Sequence, residues 1–154
     1  MSKTKLVAIK EEYLPIKGSK DALCYDLKSR VNIEIAPWEV KLVPLGIKTT
    51  FAWKLYPRSS LPFKKWLMLA NSVWIIDKDY RGEAMAMLYN FTKDKVSIAQ
   101  GERIAQMEVI WEKGDIKDLD PKKDFYVWED MFEKWEDMFL TERGEGWFGS
   151  TWTR

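Results

Sequence analysis

Short apolar or alternating runs separated by polar turns recur along most of this chain, the pattern of β-strands. Leu6-Val7-Ala8-Ile9 predicts a first strand, ended by Lys10-Glu11-Glu12. Residues 13–20 hold Pro15 and Gly18 and read as loop. Residues 21–27 fit either a short strand with a buried aspartate or a solvated turn. Residues 31–35 alternate, Pro37-Trp38-Glu39 turns, and residues 40–47 form another strand broken at Pro44. Residues 48–55 continue the β pattern weakly, and Lys64 and Lys65 make a basic turn.

The centre of the pattern is residues 71–87. Residues 67–70 lead in, and Ile75-Ile76 supplies β-branched residues that favour a strand. A charged corner runs from Asp77 to Glu83 and closes on Gly82, after which residues 84–89 alternate again. This predicts a hairpin of two extended arms. Its tip is either a solvated loop or a carboxylate at the rim of a core, where Asp77 can serve as a general base if something polar faces it. Residues 89–91 end that strand, residues 96–98 are short and extended, and residues 103–111 make a last long strand. Residues 114–123 read as loop.

The period then changes. Trp128-Glu129-Asp130-Met131-Phe132 recurs seven residues later as Trp135-Glu136-Asp137-Met138-Phe139. Its apolar positions fall at i, i+3, i+4 and i+7, predicting a short acidic amphipathic helix over residues 127–140. The stripe packs on its own β domain, on a neighbouring subunit or on a foreign protein partner. Glycines 144, 146 and 149 mark a tail over residues 141–154, suited to close backbone approach.

Composition narrows the chemistry. A chain of 154 residues fits one domain, able to bury about 70% of its unfolded surface. A net charge of +1 argues against a dedicated nucleic-acid binder. With no histidine and a single cysteine, Cys24, zinc sites and histidine-assisted nucleophiles are excluded, as is a disulfide framework. Any metal would be a hard, oxygen-bound ion such as magnesium. No leader or membrane-spanning run is evident, so the expected location is the cytoplasm, without membrane contact.

Five short motifs carry candidate chemistry. Tyr25-Asp26-Leu27 is the first, and Tyr56-Pro57-Arg58-Ser59-Ser60-Leu61 the second. In the second, a guanidinium fork stands beside hydroxyls, a donor set suited to phosphate oxygens. The third is Ile76-Asp77-Lys78-Asp79-Tyr80-Arg81-Gly82-Glu83, and the fourth Gly101-Glu102-Arg103-Ile104-Ala105-Gln106-Met107. The fifth is Arg143-Gly144-Glu145-Gly146-Trp147-Phe148-Gly149-Ser150-Thr151. In this order and near this spacing they resemble the trimeric dUTP pyrophosphatases (dUTPases), over residues 24–151.

That resemblance implies an all-β jelly roll of residues 1–140, followed by a mobile tail that closes over a neighbouring subunit's site. It implies a homotrimer with shared active sites and hydrolysis of dUTP to dUMP and pyrophosphate. By resemblance, Asp77 holds the attacking water, and Asp26 orients water on a magnesium ion, Mg2+. Arg58, Ser59, Ser60, Gln106 and Arg143 share the phosphates, while Tyr80 lies under the deoxyribose and rejects a 2′-hydroxyl. Asn71, Ile75, Ile76 and Met85 line the uracil pocket, Phe148 stacks on the base, and Gly149 and Ser150 complete the closing tail. Arg103 is expected to be a buried arginine paired to a carboxylate.

The departures from the family form a pattern. Cys24 replaces a usual glycine, and Trp38, Trp66, Trp74, Trp147 and Trp152 all stand where the family has glycine. Nine tryptophans beside eight glycines is an odd balance for such a fold. Two explanations are open: UGA codons, glycine in some genetic codes, written as tryptophan; or divergence, in which Trp74 crowds the uracil site. Alternative functions are a weakened binding or regulatory protein and a dCTP deaminase of the same superfold; the Asp77–Gly82 corner fits the pyrophosphatase better.

Overall fold

The computed structural model describes residues 5–110 and 119–127. Among these the chain forms thirteen strands. The first six are β1 (Leu6–Ala8), β2 (Ile16–Lys17), β3 (Tyr25–Lys28), β4 (Ile33–Ile35), β5 (Val40–Pro44) and β6 (Ile47–Thr49). Then come β7 (Trp53–Pro57), β8 (Leu67–Leu69), β9 (Trp74–Ile76), β10 (Met85–Asn90) and β11 (Val96–Ile98). Last are β12 (Arg103–Val109) and β13 (Phe125–Val127). Helical turns occur at Glu11–Tyr13, at Leu61–Lys65 and at Pro121–Asp124. The fold is all-β, of the jelly-roll type.

The strands assemble into four small sheets, the largest ordered β2-β3-β12-β7-β9. A second is ordered β5-β10-β8, a third β13-β1-β6, and β11 pairs with β4. Alternation converts directly into burial along β10. Ala86, Leu88 and Asn90 face inward, while Met85, Met87 and Tyr89 are half-buried on the other face. Inward residues of several sheets form one core, including Leu27, Ile35, Leu45, Trp53, Leu55, Leu67, Ile76 and Leu88. Each fully buried aliphatic side chain contributes about 1.5–3 kcal/mol.

One buried polar residue ties the sheets together. Asn90, fully buried, donates from Nδ2 to the carbonyls of Ile35 (3.0 Å) and Asp94 (2.7 Å). Its Oδ1 accepts from the Thr92 amide (3.0 Å) and hydroxyl (2.8 Å), so its polar atoms are satisfied, as burial requires.

The predicted hairpin around residue 77 is not a hairpin. β9 pairs with β7, whereas β10 pairs with β5 and β8. The two arms leave the corner into different sheets, because each finds its ladder partner in a distant strand rather than in its neighbour. Other local readings shift too. The loop over residues 13–20 contains β2, and the loop ending near Lys123 contains the turn Pro121–Asp124. Pro121 sits in its first turn and the Asp120 side chain accepts from the Lys122 amide, a favourable helix start. Val127, expected to open a helix, instead ends β13, paired in parallel with Ala8 of β1. Residues 128–140 of that predicted helix, and the 141–154 tail, lie outside the described residues.

One outer face remains apolar. On the β5-β10-β8 sheet, Tyr89 stands opposite both Val40 and Met68, and Met87 opposite Leu42. Val40, Leu42 and Met68 are exposed. Among the described residues no helix is long and apolar enough to cross a membrane.

Candidate active site

The corner after β9 is built from its own sequence. The Tyr80 amide donates to the Asp77 carbonyl at 3.1 Å, closing a tight turn. The Tyr80 side chain is buried and its hydroxyl donates back to the Glu83 carbonyl at 3.0 Å. Trp74 lies beside it, ring centroids 6.1 Å apart. Asp77 itself is exposed on the single chain, one residue beyond the buried Ile76.

Three charged residues hold this corner: Arg81 and Glu83, to which the motif reading gave no role, and Arg30, which lies outside the motifs. Arg30 Nε lies 3.1 Å from Oε1 and 3.0 Å from Oε2 of Glu83. Arg81 donates from Nη1 to the carbonyls of Thr49 (3.3 Å), Tyr80 (3.2 Å) and Lys78. Burial lowers the Arg81 pKa, and the nearby Asp79 charge works against that shift. Charged residues at a turn ordinarily read as solvated, and Arg30 lies 53 residues from Glu83, so no local signal reveals the pair.

A second cluster forms on the largest sheet. Asp26 on β3 is opposite Gln106 on β12, and Gln106 is opposite Tyr56 on β7. The Asp26 carboxylate is nearly buried between two guanidiniums: Arg58 Nε is 3.4 Å from Oδ1 and Arg103 Nη1 is 3.2 Å from Oδ2. Arg58 also reaches the Arg103 carbonyl at 3.4 Å, and Gln106 Nε2 donates to the Pro57 carbonyl at 2.9 Å. Arg103 pairs with a carboxylate as expected, but its side chain is half exposed rather than buried. Ser59 is exposed and Ser60 half-buried at the start of the Leu61–Lys65 turn. Two guanidiniums against one carboxylate leave an excess positive charge, which suits an incoming anion.

The two clusters sit at opposite ends of one strand. Ile76 is registered against Trp53, the first residue of β7, while Arg58 follows its last residue, Pro57. At about 3.3 Å per residue, Asp77 and Arg58 are separated by roughly 20 Å along the sheet. Within one chain they cannot touch the same phosphate.

The expected base-binding residues lie on the Asp77 side. Asn71 is half-buried and its Oδ1, buried, has no hydrogen-bond partner. Ile75 is exposed, Ile76 buried and Met85 half-buried. Arg143, Phe148, Gly149 and Ser150 lie outside the described residues. An open groove of about 670 Å³ is lined by Asn32, Glu34, Lys65, Ser97, Gln100 and Glu102 among others, with none of the predicted site residues.

Among the described residues no three acidic, cysteine or histidine side chains gather to hold a metal directly. Asp26 offers a hard carboxylate whose two oxygens already face guanidiniums, a donor that fits magnesium only through water.

Comparison with known proteins bears on this arrangement. The dUTPase family profile matches residues 10–152. The deoxyuridine 5'-triphosphate nucleotidohydrolase of Escherichia coli is 34% identical over 147 residues, covering 91% of this chain and 87% of its own length. The protein of that name from Lactococcus lactis is 37% identical over 103 residues, covering 60% of this chain and 69% of its own. The crystal structure of the Streptococcus mutans dUTPase superposes with a TM-score of 0.66 at 32% identity, covering 75% of this chain and 98% of that one.

Proposed function

The chain belongs to the dUTPase family, and from that premise we propose that it hydrolyses dUTP to dUMP and pyrophosphate at sites shared between the subunits of a homotrimer. The observation that carries this reading is the separation of the Asp77 corner from the Asp26–Arg58–Arg103–Gln106 cluster at the two ends of β7. A complete site then needs the corner of one subunit and the cationic cluster of another. The exposed apolar face of Val40, Leu42 and Met68 is a surface that self-association would cover.

In this reading Asp77 takes a proton from water as it attacks the α-phosphorus, and the phosphorus–oxygen bond to pyrophosphate breaks. Arg58, Ser59, Ser60, Gln106 and Arg143 hold the phosphate oxygens. Tyr80, locked by Glu83, forms the floor for the deoxyribose and excludes a 2′-hydroxyl. The unpartnered Asn71 Oδ1 is an acceptor suited to a base N–H, beside the strand edge at Ile75-Ile76 and the Met85 side chain. Phe148 stacks on the base, with Gly149 and Ser150 in the closing tail. Magnesium, when bound to the triphosphate, neutralises its charge; Asp26 would reach its hydration shell. The acidic stretch over residues 128–140 remains a candidate surface for a protein partner.

The test is pyrophosphate release from dUTP, dCTP and UTP by the chain and its Asp77→Asn variant. Release from dUTP alone, reduced about 10²–10⁴-fold or more in Asp77→Asn, is expected. Undiminished release in the variant would remove Asp77 from the mechanism. Ammonia from dCTP would point to the deaminase, and no turnover of any nucleotide to a binding role.

A further inference from the structure

Five described residues have positive φ: Gly46, Gly101, Ser72, Trp38 and Trp66. The two tryptophans are the anomaly, because the left-handed region penalises any Cβ and is a genuine outlier for a bulky residue. At Trp38 the φ of 61° falls at the third position of a four-residue turn, closed by the Glu39 amide donating to the Ala36 carbonyl at 3.1 Å. Pro37 occupies the second position. Proline followed by positive φ is the type II turn, whose third position calls for glycine. Trp66 ends the Leu61–Lys65 turn with φ 58° and ψ 33°, the left-handed cap at which glycine is favoured.

Neither indole gains burial to offset the strain. Trp38 is 62% exposed and Trp66 57% exposed, the latter in an edge contact with Phe91 at a centroid distance of 6.4 Å. Trp53 is the contrast. It is fully buried in β7, in extended backbone, and its Nε1 donates to the Thr49 hydroxyl at 2.9 Å.

We infer that positions 38 and 66 are glycine in the protein as its own cell makes it, through UGA codons read as glycine, whereas Trp53 is a true tryptophan encoded by UGG. The backbone thus favours the decoding explanation of the excess tryptophan, on an observation independent of the proposed reaction. The same decoding would extend to position 74, where the backbone is extended and does not itself demand glycine. Its consequence there is chemical: without the Trp74 indole, the ring of Tyr80 loses its aromatic neighbour and the β9 edge opens.

Reading the codons is the first test: UGA at 38 and 66 with UGG at 53 is expected, and UGG at 38 or 66 overturns the inference. Peptide mass spectrometry of the protein from its own host should show glycine at both positions; tryptophan there overturns it equally. Made as written in a host that reads UGG, the chain should melt about 2–4 °C higher for each of Trp38→Gly and Trp66→Gly. Trp38→Ala keeps a Cβ and should give no such gain; an equal gain would mean that the exposed indole, not the backbone, is the fault. Trp53→Gly should unfold the protein at a much lower temperature.

Discussion

Gly82 lies directly against the side chain of Tyr80: a methyl group built on its α-carbon would overlap the hydroxyl and come within 2.6 Å of Cζ. Backbone at residue 82 and ring at residue 80 are therefore one packed unit. Gly82→Ala should displace the buried Tyr80 ring and break its bond to the Glu83 carbonyl. The expected outcome is a stability loss of about 1–3 kcal/mol, from overpacking, in a denaturant titration. Discrimination of dUTP against UTP should weaken with it.

Asp26 is held by two guanidiniums, and neutralising it removes the carboxylate that both face. Asp26→Asn should lower stability by about 1.5–3 kcal/mol, the range for hydrogen bonds to charged groups. The deficit should appear as a lower urea midpoint with an unchanged slope. A midpoint equal to that of the parent would show that the pairings contribute nothing.

The Arg30–Glu83 pair is partly shielded, with side chains 34% and 19% exposed. A double-mutant cycle with Arg30→Met and Glu83→Gln should return a coupling of about 1 kcal/mol, at or above the upper end for exposed pairs. Because the pair anchors the far side of the corner, each single variant should raise KM for dUTP more than it lowers kcat.

Burial pushes the Cys24 thiol above its ordinary pKa of 9.0, helped by the Glu108 and Asp26 charges and opposed by Lys17. The folded protein thus favours the neutral thiol. Its contribution to stability is fully present below pH 9.0 and is lost as pH rises through the higher folded value. Alkylation of Cys24 should be slower in the folded chain than in urea at pH 8–9. Glu108→Gln should speed it by removing a negative neighbour, and an unchanged rate would remove the Glu108 charge from the causes of the shift.

Much of the architecture was legible in alternation. β4 lies within an alternating run and β10 buries every second residue, because a strand buried on one face repeats with period two, whereas β1, buried throughout, was legible as a continuous apolar run. The motif residues Asp26, Arg58 and Gln106, far apart in sequence, do converge on neighbouring strands of one sheet. The corner misled, since a charged turn between two apolar arms reads as a hairpin, and nothing local says that the arms part. Arg30 escaped notice because its partner lies far along the chain.

The amino-acid order by itself determined where most of the strands run and which family's motifs the chain carries; those properties depend on neighbours within a few residues or on short motifs. Only the tertiary structure decided that Asp77 and Arg58 stand at opposite ends of β7. It alone also showed that Trp38 and Trp66 occupy left-handed backbone. Both follow from strand register and turn geometry, which are set by hydrogen bonds between segments that meet only when the chain folds.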